Sequence, residues 1–252
     1  MEKLSVVIIS YNEEKNISRC IESVKDVADE ILILDSNSTD QTVAIAESLG
    51  AIVKQEIFKG FIQKKNKAVE LASYDYILSL DADEALDLQL SSSILKAKEN
   101  FTSHAYRMNR CSNYCGTFIR HGSWYPDTKI RLFDRRIGQW GGTNPHDKVI
   151  LAEHTAVVHL KGDILHYSYN TVSEHVIQNN KLSTLAAESL YAKGEKTNLF
   201  NVFAHPWWAF FQCYIIRAGF LDGLFGLVIA IQISHMTFLK HLKLYLLYKS
   251  AK

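Results

Sequence analysis

Leu4 to Ile9 is a short apolar run rich in β-branched residues, closed by the polar break Ser10-Tyr11-Asn12-Glu13. Such a run predicts a strand buried on both faces. Ile17, Cys20, Ile21 and Val24 then recur at i, i+3, i+4 and i+7, which is one face of a helix. Ile31 to Leu34 predicts a second strand, ending at Asp35, and Ser38 or Thr39 is placed to cap a helix that stops near Gly50. Ala51 to Lys54 predicts a third strand, Gly60 to Ala72 a third helix, and Tyr76 to Leu80 a fourth strand ending at Asp81.

Strands that alternate with helices over short links imply a parallel sheet with right-handed crossovers. In such sheets ligands bind beyond the carboxyl ends of the strands. Ser10 to Glu13, Asp35 to Ser38 and Asp81 to Glu84 all lie at those ends, so three polar clusters converge on one edge. After residue 100 the pattern loosens. Ala105 to Asn109, Thr128 to Phe133 and Ala156 to Leu160 read as strands, separated by loops rich in Gly, Trp, Tyr and His, and from about Val172 the chain turns helical.

Composition adds limits. Hydrophobic residues make up 47% of the 252 and charged residues 22%, a globular balance. The formal net charge of +1 carries no polyanion-binding signature, so nucleic acid is not expected as a partner. Cys20 and Cys213 fall in apolar helical patterns. Cys111 and Cys115 lack the second close pair that structural zinc requires. With no disulfide framework and no signal peptide at the start, a reducing, cytoplasmic setting is expected. Residues 200–247 are rich in Trp, Phe, Leu and Ile. Their longest apolar-leaning piece, Gly223 to Ile231, is short against the about 20 residues of a membrane span, so lying in the interface is expected.

Asp81-Ala82-Asp83 follows an apolar strand. Two carboxylates at i and i+2 on a strand-end turn can share Mg²⁺ or Mn²⁺ with diphosphate oxygens, since these cations prefer oxygen ligands and keep open positions. No G-x-G-x-x-G follows the first strand and no G-x-x-x-x-G-K-[ST] is present, which argues against a dinucleotide cofactor and against a P-loop. Asp35 is a candidate acceptor for a base or ribose, and Tyr11 a candidate stacking partner. Lys64 and Lys65 form either a solvated face or a cation toward the nucleotide, for which Lys64 is the choice. In Pro145-His146-Asp147-Lys148, His146 and Asp147 are candidate bases for an acceptor hydroxyl, although a local hydrogen bond explains the pair as well. Trp124, Tyr125, Trp140 and Arg131 fit sugar stacking and anion clamping, or core packing. His159 and His166 read as structural.

In their order, Val6 to Glu14, Ile33 to Asp40, Gln63 to Asn66 and Leu80 to Glu84 resemble glycosyltransferase family 2. The resemblance implies an α/β fold of GT-A type: a mostly parallel sheet flanked by helices, with a C-terminal helical, membrane-associating appendage. The catalytic domain would cover 1–170, with a nucleotide-binding half over 1–85 and an acceptor-side half over 86–170, and the apolar helical region 171–252. By resemblance Tyr11, Glu13 and Asp35 hold the nucleoside of a UDP-sugar, Asp81 touches the ribose or metal, and Asp83 ligates the divalent cation. Trp124 to Asp127, Ile130 to Phe133, Pro145 to Asp147 and Ala218 to Gly226 are similar to bacterial enzymes that add glucose to the inner-core heptose of lipopolysaccharide. In that group the loop reads His-Glu, where this chain has His146-Asp147. The resemblance implies inverting transfer from UDP-glucose to a lipid-linked core oligosaccharide at the inner face of the cytoplasmic membrane, with peripheral contact. The competing readings are transfer to a polyprenyl phosphate, nucleotidyl transfer, and sugar binding without catalysis.

Overall fold

The computed structural model describes residues 2–143 and 146–250, without the side chains of Thr143 and His146. The chain forms two compact units and passes between them inside two of its strands. The first unit comprises residues 1–110 and 127–167, the second 111–126 and 168–252.

The first part of the chain runs β1 (Leu4–Ser10), α1 (Ile17–Val24), β2 (Glu30–Asp35), α2 (Thr42–Ser48), β3 (Ile52–Gln55), α3 (Phe61–Leu71) and β4 (Tyr76–Asp81). There follow β5 (Glu84–Leu86), α4 (Leu88–Glu99), β6 (Ala105–Tyr114), β7 (Thr117–Phe118), β8 (Asp127–Asp134), β9 (Gly138–Thr143), β10 (His146–Leu151) and β11 (Val157–Tyr169). Three long helices close the chain: α5 (Val172–Ala192), α6 (Leu199–Phe211) and α7 (Gly223–Ser250).

The main sheet has the order β3-β2-β1-β4-β8-β6-β11-β5. β3, β2, β1 and β4 are parallel, whereas β8 joins β4 antiparallel and β6 joins β8 antiparallel. The sheet is therefore mixed, and the expected parallel arrangement holds for its first four strands. β1 is buried along its whole length because helices cover both faces. Leu4, Val6 and Ile8 pack with Ile17, Cys20, Ile21, Leu90 and Ile94 on one side. Val7 and Ile9 pack with Ala68 and Val69 on the other. Fully burying each such side chain is worth about 1.5–3 kcal/mol.

Several local expectations change. α2 starts at Thr42, after neither Ser38 nor Thr39 as cap, because the loop holds those residues differently: Ser38 N donates to Asp35 and Thr39 N to Asn12. α4 had no counterpart in the pattern reading. Asp87 caps it, accepting from Leu90 N. β9 and β10, in a region expected to be loop, pair antiparallel, with Trp140 opposite Val149 and Gly142 opposite Asp147. Gly162 passes so close to α4 that a Cβ there would stand 2.2 Å from Leu90 N.

In the second unit Tyr114, Ile119 and Ile229 form a buried cluster with Trp124, Tyr169 and Phe225 against it. His175, held neutral by burial with its pKa lowered to about 4, lies 3.2 Å from the Tyr114 hydroxyl. Asp222 accepts from the backbone N–H groups of Arg120 and His121. α7 packs along α5 and α6. Against the expectation of a segment too short to span, α7 is long and apolar enough to cross a membrane by length and composition. Gln232, Ser234 and His235 end the uninterrupted run, yet an apolar helix accommodates a few polar residues without losing its average character. Trp207, Trp208, Phe200 and Phe203 on α6 are exposed.

Candidate active site

The register of the parallel strands builds one edge of the site. Ser10 pairs with Asp35, and Ile9 with Asp81, so the β1, β2 and β4 ends fall within a residue of one another. The loops leaving β1 and β2 are laced together. Asn12 N donates to Ser38 Oγ at 2.8 Å, and Thr39 N donates to Asn12 Oδ1 at 2.8 Å. Glu13 N donates to Thr42 Oγ1 at 2.7 Å and Gln41 N to Glu14 Oε2 at 3.1 Å. Asn12 and Asn37 sit at positive φ, a conformation their short polar side chains tolerate.

Asp35 lies beneath these loops, fully buried. It accepts from Ser10 Oγ at 2.9 Å and from Ser38 N at 2.7 Å, so its oxygens shape the loop. Lys64 is also buried and donates to Ser10 O and Ser36 Oγ, both at 2.6 Å. Burial pulls its ammonium down to about 8, against the opposing pull of Asp35 and Asp81. Tyr11 stands open at 58% exposure, free to meet a flat partner. Burial pushes the Glu13 carboxyl up; a hydrogen bond from Asn16 opposes this, and the charges of Asp83, Asp40 and Asp81 add to it.

The two acids of the Asp81-Ala82-Asp83 turn have different surroundings. Asp83 Oδ2 lies 3.2 Å from His166 Nε2, and both side chains keep solvent contact. β11 brings the histidine there by pairing antiparallel with β5, His166 opposite Glu84, while Tyr167 N donates to Asp83 O. His166 had been read as structural; its placement depends on that long-range pairing. Asp81 instead faces cations: Lys65 Nζ at 3.1 Å and Arg131 Nη2 at 3.4 Å. Burial works against its ionisation, but Arg131 and then Lys65 more than offset it and hold the carboxyl well below the usual range.

Asp83 and His166 fit a cation shared with a ligand. Among the described residues no group of three His, Cys, Asp or Glu side chains is arranged around one point. The carboxylate suits Mn²⁺ or Mg²⁺ when phosphate oxygens and water supply the rest, and the imidazole beside it favours the transition metal over Mg²⁺. A cation bound at this point would offset the negative charges of Asp83 and Asp81 that crowd Glu13.

Beside Asp81 opens a cavity of about 570 Å³, with Asp147 on its wall. Lys65 Nζ bridges the two acids, lying 2.8 Å from Asp147 Oδ2. Asn66 holds the hairpin to α3, exchanging hydrogen bonds with Trp140 N and O at 2.9 Å each. Trp140 is buried, with Lys65 Nζ 4.3 Å from its ring centroid and the Arg131 guanidinium 5.2 Å from it. Of the two roles open to it, sugar stacking and core packing, its burial fits packing, with the two cations against its ring. Glu84 is buried and anchors Arg131 at 2.8 Å. The sequence offers Lys65 beside Lys64 and Glu84 within the strand-end cluster but gives neither a role of its own; their adjacency to Lys64 and Asp83 is the signal it carries. Trp124 lies in the second unit, packed on Tyr114 and Tyr169. Pro145 and the His146 side chain lie outside the described residues.

Comparison with known proteins gives concordant findings. The model of "Glycosyl transferase family 2" matches residues 5–150. An uncharacterized glycosyltransferase of Rickettsia prowazekii is 32% identical over 97% of this chain and 87% of its own. The lipopolysaccharide core biosynthesis glycosyltransferase LpsC of Rhizobium meliloti is 28% identical over 96% of this chain and 92% of its own. Among solved structures, a mannosyltransferase from Pyrobaculum calidifontis, in complex with GDP-Man and Mn²⁺, superposes with a TM-score of 0.55 at 13% identity. It covers 96% of this chain and 86% of its own, a likeness of fold of the GT-A type.

Proposed function

The chain belongs to glycosyl transferase family 2, and from that premise we propose that it moves glucose from UDP-glucose, with inversion, onto a heptose of the lipopolysaccharide inner core. The observation that carries the reading is the pairing of two carboxylate stations, one on the turn after β4 and one on the β9–β10 hairpin. Asp83 with His166 forms a donor pair for a cation, and Asp147 stands across Asp81 on a cavity wall. The similarity to LpsC, named for lipopolysaccharide core biosynthesis, supports the acceptor class.

Tyr11, Glu13 and the loop built on Asp35 receive the nucleoside. Lys64 and Lys65 add positive charge beside the diphosphate. A divalent cation at Asp83 and His166 supplies, when bound, compensation for the charge growing on the leaving diphosphate. Asp147 takes the proton of the acceptor hydroxyl as that oxygen attacks the anomeric carbon from the face opposite the leaving group. The bond from that carbon to the diphosphate oxygen breaks, and UDP departs. The exposed aromatics of α6 and the apolar length of α7 support contact with the inner face of the cytoplasmic membrane, where a lipid-linked acceptor sits.

The test is UDP release across a panel of nucleotide sugars, with core oligosaccharides truncated at successive depths and a polyprenyl phosphate in parallel. Activity with UDP-glucose and heptose-terminated core is expected. Transfer to the polyprenyl phosphate alone would replace the acceptor, and release of pyrophosphate would replace the reaction.

A further inference from the structure

The cavity beside Asp147 carries a charge pattern that a neutral sugar does not call for. Five cations line it: Lys65, Arg110, Lys129, Arg131 and Lys148. Only Asp81 and Asp147 oppose them on the same wall. Behind the wall Glu84 and Asp127 hold some of these cations in place. Arg110 grips Asp127 at 2.9 Å, Lys129 meets the same acid at 2.9 Å, and Arg131 meets Glu84 at 2.8 Å. Lys148 has no ion pair among the described residues.

Arg131 gives the second, independent observation. Its side chain is 4% exposed, and only Nη2 is engaged, by Glu84 and Asp81. Nε and Nη1 are buried with no hydrogen-bond partner among the described residues. A buried guanidinium N–H without an acceptor has given up its water without gaining a partner, so an acceptor brought to it is favoured. Nε–H and Nη1–H lie on different edges of the planar group, so an oxyanion reaching either one gains a charge-assisted hydrogen bond from it. The flanking strands β8 and β10 bring Lys129 and Lys148 to the same space, so the positive charge converges from several elements.

We propose that this cavity binds an anionic substituent of the acceptor, a phosphate monoester or a carboxylate carried close to the hydroxyl that reacts. This deepens the function proposed above and rests on Asp147 marking the acceptor side. The shared chemistry is an oxyanion held by Arg131 and screened by Lys129 and Lys148. A neutral acceptor of the same shape binds more weakly because the free donors stay unpaired.

The test uses the full-length protein and three forms of a heptose-terminated core oligosaccharide: native, phosphatase-treated and carboxyl-reduced. One of the two treatments is expected to raise KM by about tenfold with little change in kcat, and which one does so identifies the oxyanion. Lys129→Gln and Lys148→Gln each change an exposed or half-exposed side chain. They are expected to raise KM for the native acceptor by about threefold to tenfold and to leave the treated acceptor unaffected. Equal KM for all three acceptors would overturn the proposal. So would weakened UDP binding in either lysine variant, which would assign the cavity to the donor diphosphate. A second arm does not depend on the acceptor: protein saturated with UDP and Mg²⁺ is titrated with inorganic phosphate. Binding that weakens in the lysine variants supports the anion site even if no core oligosaccharide is glycosylated, and so separates it from failure of the proposed function. No phosphate binding to the UDP-loaded protein overturns the site.

Discussion

Lys65 Nζ lies 2.8 Å from Asp147 Oδ2, and the same ammonium reaches Asp81 at 3.1 Å. One cation thus fixes the spacing between the carboxylate at the end of β4 and the carboxylate on β10. Removing it in Lys65→Met leaves two acids facing each other without their shared counterion. A stability loss of about 2–3 kcal/mol is expected, less than for a fully buried pair because both acids keep solvent contact. Urea denaturation measures it. A loss under about 0.5 kcal/mol, the range of an ordinary surface pair, would show that the bridge is not a brace.

Asp83→Ala is expected to abolish transfer while the protein stays folded, since Asp83 keeps solvent contact and carries no core packing. His166→Ala is expected to raise the Mn²⁺ concentration needed for half-maximal activity by about tenfold or more. Chelation of divalent ions stops turnover of the wild type, and added Mn²⁺ or Mg²⁺ restores it. Full activity of purified Asp83→Ala would remove the metal role.

Asp147→Asn is expected to lower kcat by about 10²–10⁴-fold, the usual contribution of a general base, with UDP binding unchanged. Asp147→Glu keeps a carboxylate and is expected to retain a measurable fraction of activity. Equal loss of UDP affinity in the asparagine variant would place the residue with the donor.

Lys64 predicts a pH signature. Its folded pKa is lowered to about 8, whereas the unfolded chain holds the proton to its ordinary 10.5. Between these limits the unfolded state binds more protons, so this group makes the protein more stable as pH rises from about 8 to 10.5. The stability of wild type relative to Lys64→Met should therefore climb across that window, as read by urea denaturation at successive pH values. A difference that stays flat counts against a charged ammonium buried there.

Membrane contact is checked by flotation with vesicles of anionic and neutral lipid. Trp207→Ala together with Trp208→Ala is expected to cut binding to anionic vesicles by about tenfold, through loss of apolar insertion. Wild-type protein that stays with the soluble fraction on both vesicle types would argue that these aromatics meet something other than lipid.

The nucleotide-side half of the fold was legible because its signals are local. A buried parallel strand is a run of apolar residues, and its end is a polar break; Ile9, Asp35 and Asp81 mark three such ends within a few residues. What stayed hidden depends on pairing over long distances. His166 reaches Asp83 only because β11 joins β5. Lys65 and Asp147 are 82 positions apart and meet through the β9–β10 hairpin, which Gly141, Gly142 and the Asn-Pro step disguised as loop. The roles of the two lysines separate by helix geometry: consecutive residues on α3 point about 100° apart, so Lys64 turns under the loops and Lys65 toward the cavity. Pattern alone does not say which is which.

The division of the chain also bears on how the molecule can be cut. Residues 111–126 leave the first unit and return to it, so the second unit is assembled from an excursion and a tail. Tyr114 and Trp124 in the excursion pack against Tyr169, His175 and Phe225 in the tail. A stop codon after residue 167 would not trim off an appendage. It would strip the shelter from two large aromatics on the part that remains, and so turn a soluble truncation into a sticky one. A shortened form for biochemistry has to remove both pieces, joining Arg110 to Asp127 across a short turn, or keep both.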